Sequence, residues 1–286
     1  MPVLALIVNA LVWGTSWWPF RAMRDQGLHP LWATALIYIA VSAAIVLLRP
    51  RALATLMRTP VLWVLVLAAG TTNAAFNWGV VIGDVVRVVL LFYLMPLWSV
   101  LLARGLLDER LTRIAVLRIA LAMAGAAVIL WPGGGNLADS VVVHWLPDLL
   151  GLVGGFSFAL NNVMLRREAH RPEAARALAM FIGGAVVATA LAASLTAAGS
   201  IGPPPPAGIG WIAIALVMAA LFAASNLALQ YGAARLPAHI TAVVMLTEVV
   251  FASASALALG AGTATAALAL GGALVFAAAL LAAFEP

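Results

Sequence analysis

The feature that most constrains the fold is a succession of long apolar runs separated by short polar breaks. A helix rises ~1.5 Å per residue, so about 20 apolar residues cross a hydrocarbon layer of ~30 Å. Hydrophobic residues make up 65% of the chain and charged residues 9%, which excludes an ordinary soluble domain. We therefore predict an all-α integral membrane protein with ten transmembrane helices in a lipid bilayer. The runs lie at roughly 3–20, 31–48, 60–79, 85–104, 112–131, 147–165, 176–197, 209–232, 237–259 and 265–284.

The arginine distribution predicts how the chain is oriented. Twelve of the fifteen basic residues, all of them Arg, lie in or beside the loops that follow even-numbered runs. Only Arg21, Arg24 and Arg87 lie on the other side. Basic residues concentrate in cytoplasmic loops, so both termini are predicted to be cytoplasmic. The net charge of +5 is assigned to these loops and not to nucleic-acid binding.

A duplicated motif divides the chain into two halves. The segment Asn73-Ala-Ala-Phe-Asn77-Trp78-Gly79 ends the third run, and Asn-Leu-Ala-Leu-Gln-Tyr-Gly, 226–232, ends the eighth, 153 residues later. Five runs per half is an odd number, so the second half starts with the opposite orientation. We predict two inverted five-helix repeats, 1–138 and 146–286, forming one membrane domain with a binding site near the midplane.

Glu248 lies about eleven residues from either end of the ninth run, roughly 16 Å deep. A carboxylate at that depth is costly, so it is protonated, paired or facing a wet cavity. Thr241, Met245 and Glu248 share one helix face. Glu248 could carry protons or bind a substrate ammonium group, or it could be a neutral packing group hydrogen-bonded to a neighbouring helix.

Amide and hydroxyl side chains recur one helical turn apart. Each pair lines one face of its helix and could face a cavity or form interhelical hydrogen bonds worth about 0.6 kcal/mol each. The pairs are Asn73 with Asn77, Asn226 with Gln230, and Ser157 with Asn161.

Aromatic residues and prolines supply further candidates. Trp13 and Trp17, four residues apart, could form an aromatic wall for a planar substrate or pack against helices and lipid; Phe92 is a weaker candidate for the same wall. Pro96 is expected to kink the fourth run. Pro96 and Pro237 are candidate hinges, although a proline that produces only a fixed kink looks the same in the sequence.

The sequence contains no set of residues that is typical of an intramembrane enzyme site. The four histidines lie in loops or at run ends, and no second acid lies at the depth of Glu248. A metal site, an acid pair or a nucleophile–base dyad therefore lacks members. We predict no enzyme activity, no metal and no cofactor.

Three motifs resemble those of the drug/metabolite transporter superfamily. They are Trp13-Gly14-Thr15-Ser16, Leu-Phe-Tyr-Leu-Met-Pro (91–96) and Leu-Leu-Asp-Glu-Arg-Leu-Thr (106–112). The whole chain is similar to EamA-type ten-helix exporters, and its arrangement most resembles the YddG-type aromatic amino-acid exporters. The halves differ, because Glu248 and Ala261 stand where the first half has Pro96 and Glu109.

The resemblance implies an exporter of aromatic and other large apolar amino acids in the bacterial inner membrane. We also predict alternating access between the repeats and a monomer rather than a dimer. Glu248 makes protons the candidate coupling ion, with passive transport as the alternative. The alternative is a multidrug exporter of planar cations, with Glu248 as counter-charge. The candidate substrate-binding residues are Trp13, Trp17, Asn73, Asn77, Phe92, Ser157, Asn161, Asn226, Gln230, Met245 and Glu248.

Overall fold

The structure is a computed structural model that describes residues 1–82, 88, 91–109, 112–130, 145–260 and 266–283. Within these ranges the regular structure is helical and contains no strand. Arg87, Arg110 and Ala261, which entered the sequence arguments, lie outside the described residues. The helices are α1 (Pro2–Thr15), α2 (Trp17–Arg24), α3 (Pro30–Leu48), α4 (Pro50–Arg58), α5 (Leu62–Ile82), α6 (Met95–Leu107), α7 (Arg113–Leu130), α8 (Trp145–Arg167), α9 (Glu173–Ala197), α10 (Ile209–Ala233), α11 (Ala238–Met245), α12 (Thr247–Ala258) and α13 (Ala266–Ala283).

Every predicted apolar run contains helix, which confirms the prediction of an all-helical membrane protein. Six stretches of the described chain are long and apolar enough to cross a membrane: α1 with α2, α3, α8, α9, α10, and α11 with α12 as far as Ser255. Helices α5, α6, α7 and α13 occupy the other four runs. The sequence did not predict α4, which precedes α5 at a bend of 104°.

Two runs are broken near their middles at corresponding positions. In the fourth run, Tyr93 and Leu94 form a turn before α6 begins. In the ninth run, Leu246 separates α11 from α12. Pro96 therefore lies in the first turn of α6, where a proline removes no helical hydrogen bond. The break at Leu246 has no proline, so a proline does not explain both breaks.

Pro237, the second candidate hinge, lies outside the helices. It precedes α11 with φ −53° and ψ 146°, a conformation that starts a helix but does not bend one. A hinge role for Pro96 or Pro237 stays a prediction.

Helix packing is reciprocal between the two halves. Helix α1 of the first run packs on α10, α11 and α12 of the eighth and ninth runs. Helix α8 of the sixth run packs on α5 and α6 of the third and fourth. The pairs α3 with α9 and α7 with α13 are each formed by equivalent members of the two halves. Two repeats related by a two-fold axis produce this exchange of partners, which supports the duplication.

Small residues allow α5 and α9, one helix from each half, to cross in close contact. A Cβ atom added at Gly70 would lie 2.5 Å from the carbonyl oxygen of Gly183, and one added at Gly183 would overlap the carbonyl oxygen of Val66. Because helices in lipid associate through close packing and not through water exclusion, these glycines hold the repeats together.

A polar junction also joins the halves, on the side of the arginine-rich loops. Asp108 ends α6 in the left-handed region at φ 54°, which turns the following residue towards the second half. Glu109 accepts a hydrogen bond from the backbone N–H of Ala238 at 3.1 Å. Its carboxylate lies 3.9 Å from Nε of Arg166 and 3.8 Å from Nδ1 of His239. Glu109 thus ties the first repeat to the start of α11 and the end of α8.

Replacing Glu109 by alanine is expected to lower the thermal unfolding midpoint in detergent, because the Ala238 N–H loses its acceptor and Arg166 its counter-charge. The cost of such a loss is about 1–3 kcal/mol. The control is Asp25→Ala, which removes an exposed ion pair with Arg24 at 3.3 Å and is expected to have little effect. Equal midpoints for the two variants would contradict this role of Glu109.

Candidate functional site

A central cavity lies between the helices of both halves. Its volume is about 70 Å³, several times the minimum that holds one water molecule. Seven of the eleven residues predicted from the sequence line it: Trp13, Asn73, Phe92, Asn161, Asn226, Met245 and Glu248. The remaining four, Trp17, Asn77, Ser157 and Gln230, do not.

The duplicated helices α5 and α10 contribute equivalent positions to the cavity. Ala69, Asn73 and Phe76 line it from α5. Phe222, Asn226 and Leu229, each 153 residues later, line it from α10. The same face of the same repeated helix therefore borders the cavity in both halves, as expected for a site on the axis that relates them.

Glu248 stands in the first turn of α12, directly after the break at Leu246. The positive end of a helix dipole favours a carboxylate at this position. Glu248 lines the cavity, and none of the described arginine or histidine side chains lies within 4 Å of its oxygens. The broken ninth run thus brings an acid without a described cationic partner to the cavity wall.

The sequence left two roles open for the paired amides: facing a cavity, or packing between helices. In each of the two amide pairs, one residue has the first role and the other has the second. At the cavity, Asn73 accepts a hydrogen bond from the Tyr38 hydroxyl at 2.9 Å, and Asn226 donates to Sδ of Met180 at 3.2 Å. One turn later, Asn77 donates to Thr34 of α3 at 2.8 Å, and Gln230 is fully buried next to Asn226. The first amide of each pair lines the cavity, and the second packs away from it.

Trp17 and Ser157 also have positions away from the cavity. Nε1 of Trp17 donates to Ser255 of α12 at 2.9 Å, so this side chain fastens α2 to the ninth run. Ser157 is buried within α8. Trp13, by contrast, stacks on Phe222 with ring centroids 4.5 Å apart and forms part of the cavity wall.

Most of the aromatic wall was missed by the sequence reasoning. Phe92 stacks on Phe158 at 5.7 Å and contacts Phe76 edge-on at 4.9 Å. An apolar residue facing a cavity has the same sequence appearance as one facing lipid, so only the 153-residue repeat could have indicated Phe76 and Phe222. The lining residues absent from the prediction are Asn9, Tyr38, Ala69, Thr72, Phe76, Phe158, Met180, Phe181, Phe222 and Leu229.

Replacing Asn77 by leucine is expected to lower the thermal unfolding midpoint, because the hydrogen bond that Asn77 donates to Thr34 of α3 is lost. The affinity of the cavity for a ligand is expected to stay at the wild-type value. The matched variant is Asn73→Leu, one turn earlier on the same helix. It changes the cavity wall and is expected to weaken ligand binding about tenfold, the equivalent of one hydrogen bond. Equilibrium binding to the purified proteins distinguishes the two, and equal losses of affinity would contradict the division of roles.

Comparison with known proteins agrees with this architecture. Residues 1–131 match the model of the EamA-like transporter family. One solved structure, titled only "Crystal structure of protein", has a TM-score of 0.74 to this chain at 20% identity, covering 98% of this chain and 96% of that one. At that identity the likeness shows a common fold alone. No curated protein matches the sequence.

The first 131 residues of the chain are thus similar to the EamA-like transporter family, and this match covers less than half of the chain. The likeness agrees with the prediction of a transporter and not an enzyme, because the matched family is one of transporters. Neither comparison supports the YddG-type aromatic amino-acid subfamily, which stays a prediction.

Proposed function

We propose that the protein exports small amphipathic molecules carrying an amino group, through the central cavity and by alternating access between the two five-helix repeats. The observation that carries the proposal is the position of Glu248, an acid on the wall of an aromatic cavity shared by both halves. A carboxylate attracts a substrate ammonium group, and aromatic faces suit both an apolar side chain and a cation.

Amino acids with aromatic or large apolar side chains are the first candidate substrates, as the resemblance implied. Uptake of radiolabelled phenylalanine into liposomes that contain the purified protein tests this candidate, with protein-free liposomes as control. Competition by unlabelled tryptophan, tyrosine and methionine supports it. Absence of phenylalanine uptake would exclude phenylalanine as a substrate.

Planar organic cations are the second candidate. The observation that favours them is the charge of the cavity: its described lining contains Glu248 and no arginine or histidine. Competition by planar cations alone would assign the protein to multidrug export, with Glu248 as the counter-charge.

We also propose that the protein lies in the inner membrane with both termini in the cytoplasm. The twelve arginines that lie in or beside the loops following even-numbered runs support this orientation. A terminal tag that is accessible from the periplasm of intact cells would contradict it.

A further inference from the structure

A second cavity lies at the ends of the helices that are opposite the arginine-rich loops. Its volume is about 360 Å³, and it shares no described lining residue with the central cavity. The segments that connect α2 to α3 and α9 to α10 border it, together with the C-terminal ends of α2, α5 and α9. The described lining residues are Arg24, Gly27, His29, Trp78, Leu195, Ser200, Ile201 and Gly202.

The second cavity has a positively charged wall. Arg24 carries a full charge, and no aspartate or glutamate is among the described lining residues. The carboxylate of Asp25, which does not line the cavity, lies 3.3 Å from one terminal nitrogen of Arg24. Exposed ion pairs of this kind are weak, and a guanidinium group has several N–H donors. Arg24 therefore keeps donors that Asp25 does not occupy.

His29 adds an uncharged donor whose tautomer is set by the backbone. Its Nδ1 accepts a hydrogen bond from the N–H of Leu31 at 3.2 Å and so caps α3. Burial lowers the pKa of His29, so the imidazole ring is neutral at pH 7 and Nδ1 has a free lone pair for this bond. The ring proton is therefore on Nε2, which can donate to a ligand. The hydroxyl of Ser200, on the segment after α9, is a further donor.

The remaining large side chains of the second cavity are apolar or aromatic. Trp78 is half-buried near the end of α5, and Leu195 and Ile201 line the same space. An indole ring can stack on a planar group, and aliphatic side chains stabilise any apolar group that they remove from water. The wall thus combines donors for an anionic group with apolar surface for the body that carries it.

Other classes of ligand match this wall less well. A cation would be repelled by Arg24, with no carboxylate in the described lining to offset the repulsion. An inorganic anion could contact Arg24 but would gain nothing from Trp78 or Leu195. A neutral apolar molecule would leave the donors of Arg24 and His29 unused.

We infer that the second cavity is a binding site for an amphipathic organic anion. Arg24, His29 and Ser200 donate to its carboxylate or phosphate oxygens, and Trp78 contacts its apolar or aromatic body. The inference goes beyond the proposed function, because it assigns a separate site with a charge opposite to that of Glu248. Two sources supply this chemistry: a free arylalkyl carboxylate, or the phosphate of an anionic membrane lipid.

Three ligands test the inference by equilibrium binding to purified, delipidated protein in a non-ionic detergent at pH 7. 3-Phenylpropanoate has the carboxylate and the ring, 3-phenylpropanamide has the ring without the charge, and propanoate has the charge without the ring. We expect 3-phenylpropanoate to bind about 10-fold more tightly than the amide, the equivalent of one hydrogen bond to a charged group. Binding of the amide or of propanoate as tightly as 3-phenylpropanoate would overturn the inference.

Two arginines of α2 supply a matched pair of variants. Arg21 and Arg24 are both exposed in the last turn of this helix, but only Arg24 lines the second cavity. Arg24→Gln is expected to weaken binding of 3-phenylpropanoate about 10-fold, and Arg21→Gln is expected to leave it unchanged. The thermal unfolding midpoints check that both variants are folded. Equal affinity of the wild type and Arg24→Gln for this ligand would mean that it binds elsewhere, which overturns the inference.

A lipid arm of the experiment identifies the source of the anion. Binding of phosphatidylglycerol is compared with binding of phosphatidylcholine, whose phosphate charge is offset by choline, in the wild type and in Arg24→Gln. Preferential binding of phosphatidylglycerol that Arg24→Gln weakens supports the site and assigns it to lipid phosphate. Arg24-dependent binding of 3-phenylpropanoate alone supports the site and assigns it to free carboxylates. Absence of Arg24-dependent binding for both anions overturns the inference.

These results are independent of the proposed function. The binding measurements involve no transport and no residue of the central cavity. Failure of phenylalanine or cation uptake therefore leaves the anion site standing, and failure of anion binding leaves the transport proposal standing.

Discussion

Replacement of Glu248 by glutamine is expected to weaken binding of an ammonium substrate about 10- to 100-fold. The substitution keeps the side-chain size and one acceptor oxygen but removes the negative charge. Hydrogen bonds to charged groups contribute about 1.5–3 kcal/mol, and each 1.4 kcal/mol is a factor of about ten in affinity. The effect is expected to be large because the described cavity wall contains no other acid.

The matched control is Glu173→Gln, which removes an exposed acid from the first turn of α9. It is expected to bind substrate like the wild type. Equal affinities for wild type and Glu248→Gln, with both proteins folded, would contradict the assignment of Glu248 as the counter-charge. If Glu248 also carries protons, Glu248→Gln abolishes uptake driven by a pH gradient and retains exchange in the absence of a gradient.

Replacement of Gly183 by alanine is expected to produce the largest loss of stability, about 3 kcal/mol or more. The added methyl group overlaps the carbonyl oxygen of Val66 on α5. Backbone atoms on both sides cannot rotate away, so α5 and α9 must separate along their crossing. The measurement is the thermal unfolding midpoint of the purified protein in detergent.

Gly105→Ala is the control for helix propensity. Gly105 lies in α6, and a Cβ atom added there has no neighbour within 4 Å. Alanine is the better helix former by about 1 kcal/mol, so this variant is expected to be as stable as the wild type or slightly more so. Equal midpoints for the two variants would show that the α5–α9 crossing can accept a methyl group.

The apolar runs predicted the helices well, because the thickness of a membrane fixes both their length and their composition. The breaks were harder to predict. The sequence directed attention to Pro96, yet the equivalent break at Leu246 has no proline and gave no local signal. Helix α4 was missed because Pro50–Arg58 contains two arginines and, at nine residues, is too short for a span.

The polar part of the site was more predictable than its aromatic part. Glu248, Asn73 and Asn226 contrast with apolar neighbours, and polar groups at mid-depth need a protein or water partner. Phe158 and Phe222 have no such contrast, since lipid and cavity accept phenylalanine equally. The choice between Asn73 and Asn77 depends on neighbouring helices: Thr34 of α3 binds the latter and leaves the former at the cavity.

In the proposed function, substrate passes through the cavity between the repeats. The most direct test is transport by Ala69→Phe, because Ala69 is a small residue of the cavity wall and its counterpart in the second repeat is already Phe222. The added ring fills the cavity in a position where the repeat accepts phenylalanine. The measurement is exchange of radiolabelled substrate in liposomes containing folded wild-type or variant protein. We expect exchange by the wild type and none by the variant. Exchange at the wild-type rate by Ala69→Phe would show that substrate does not pass through this cavity.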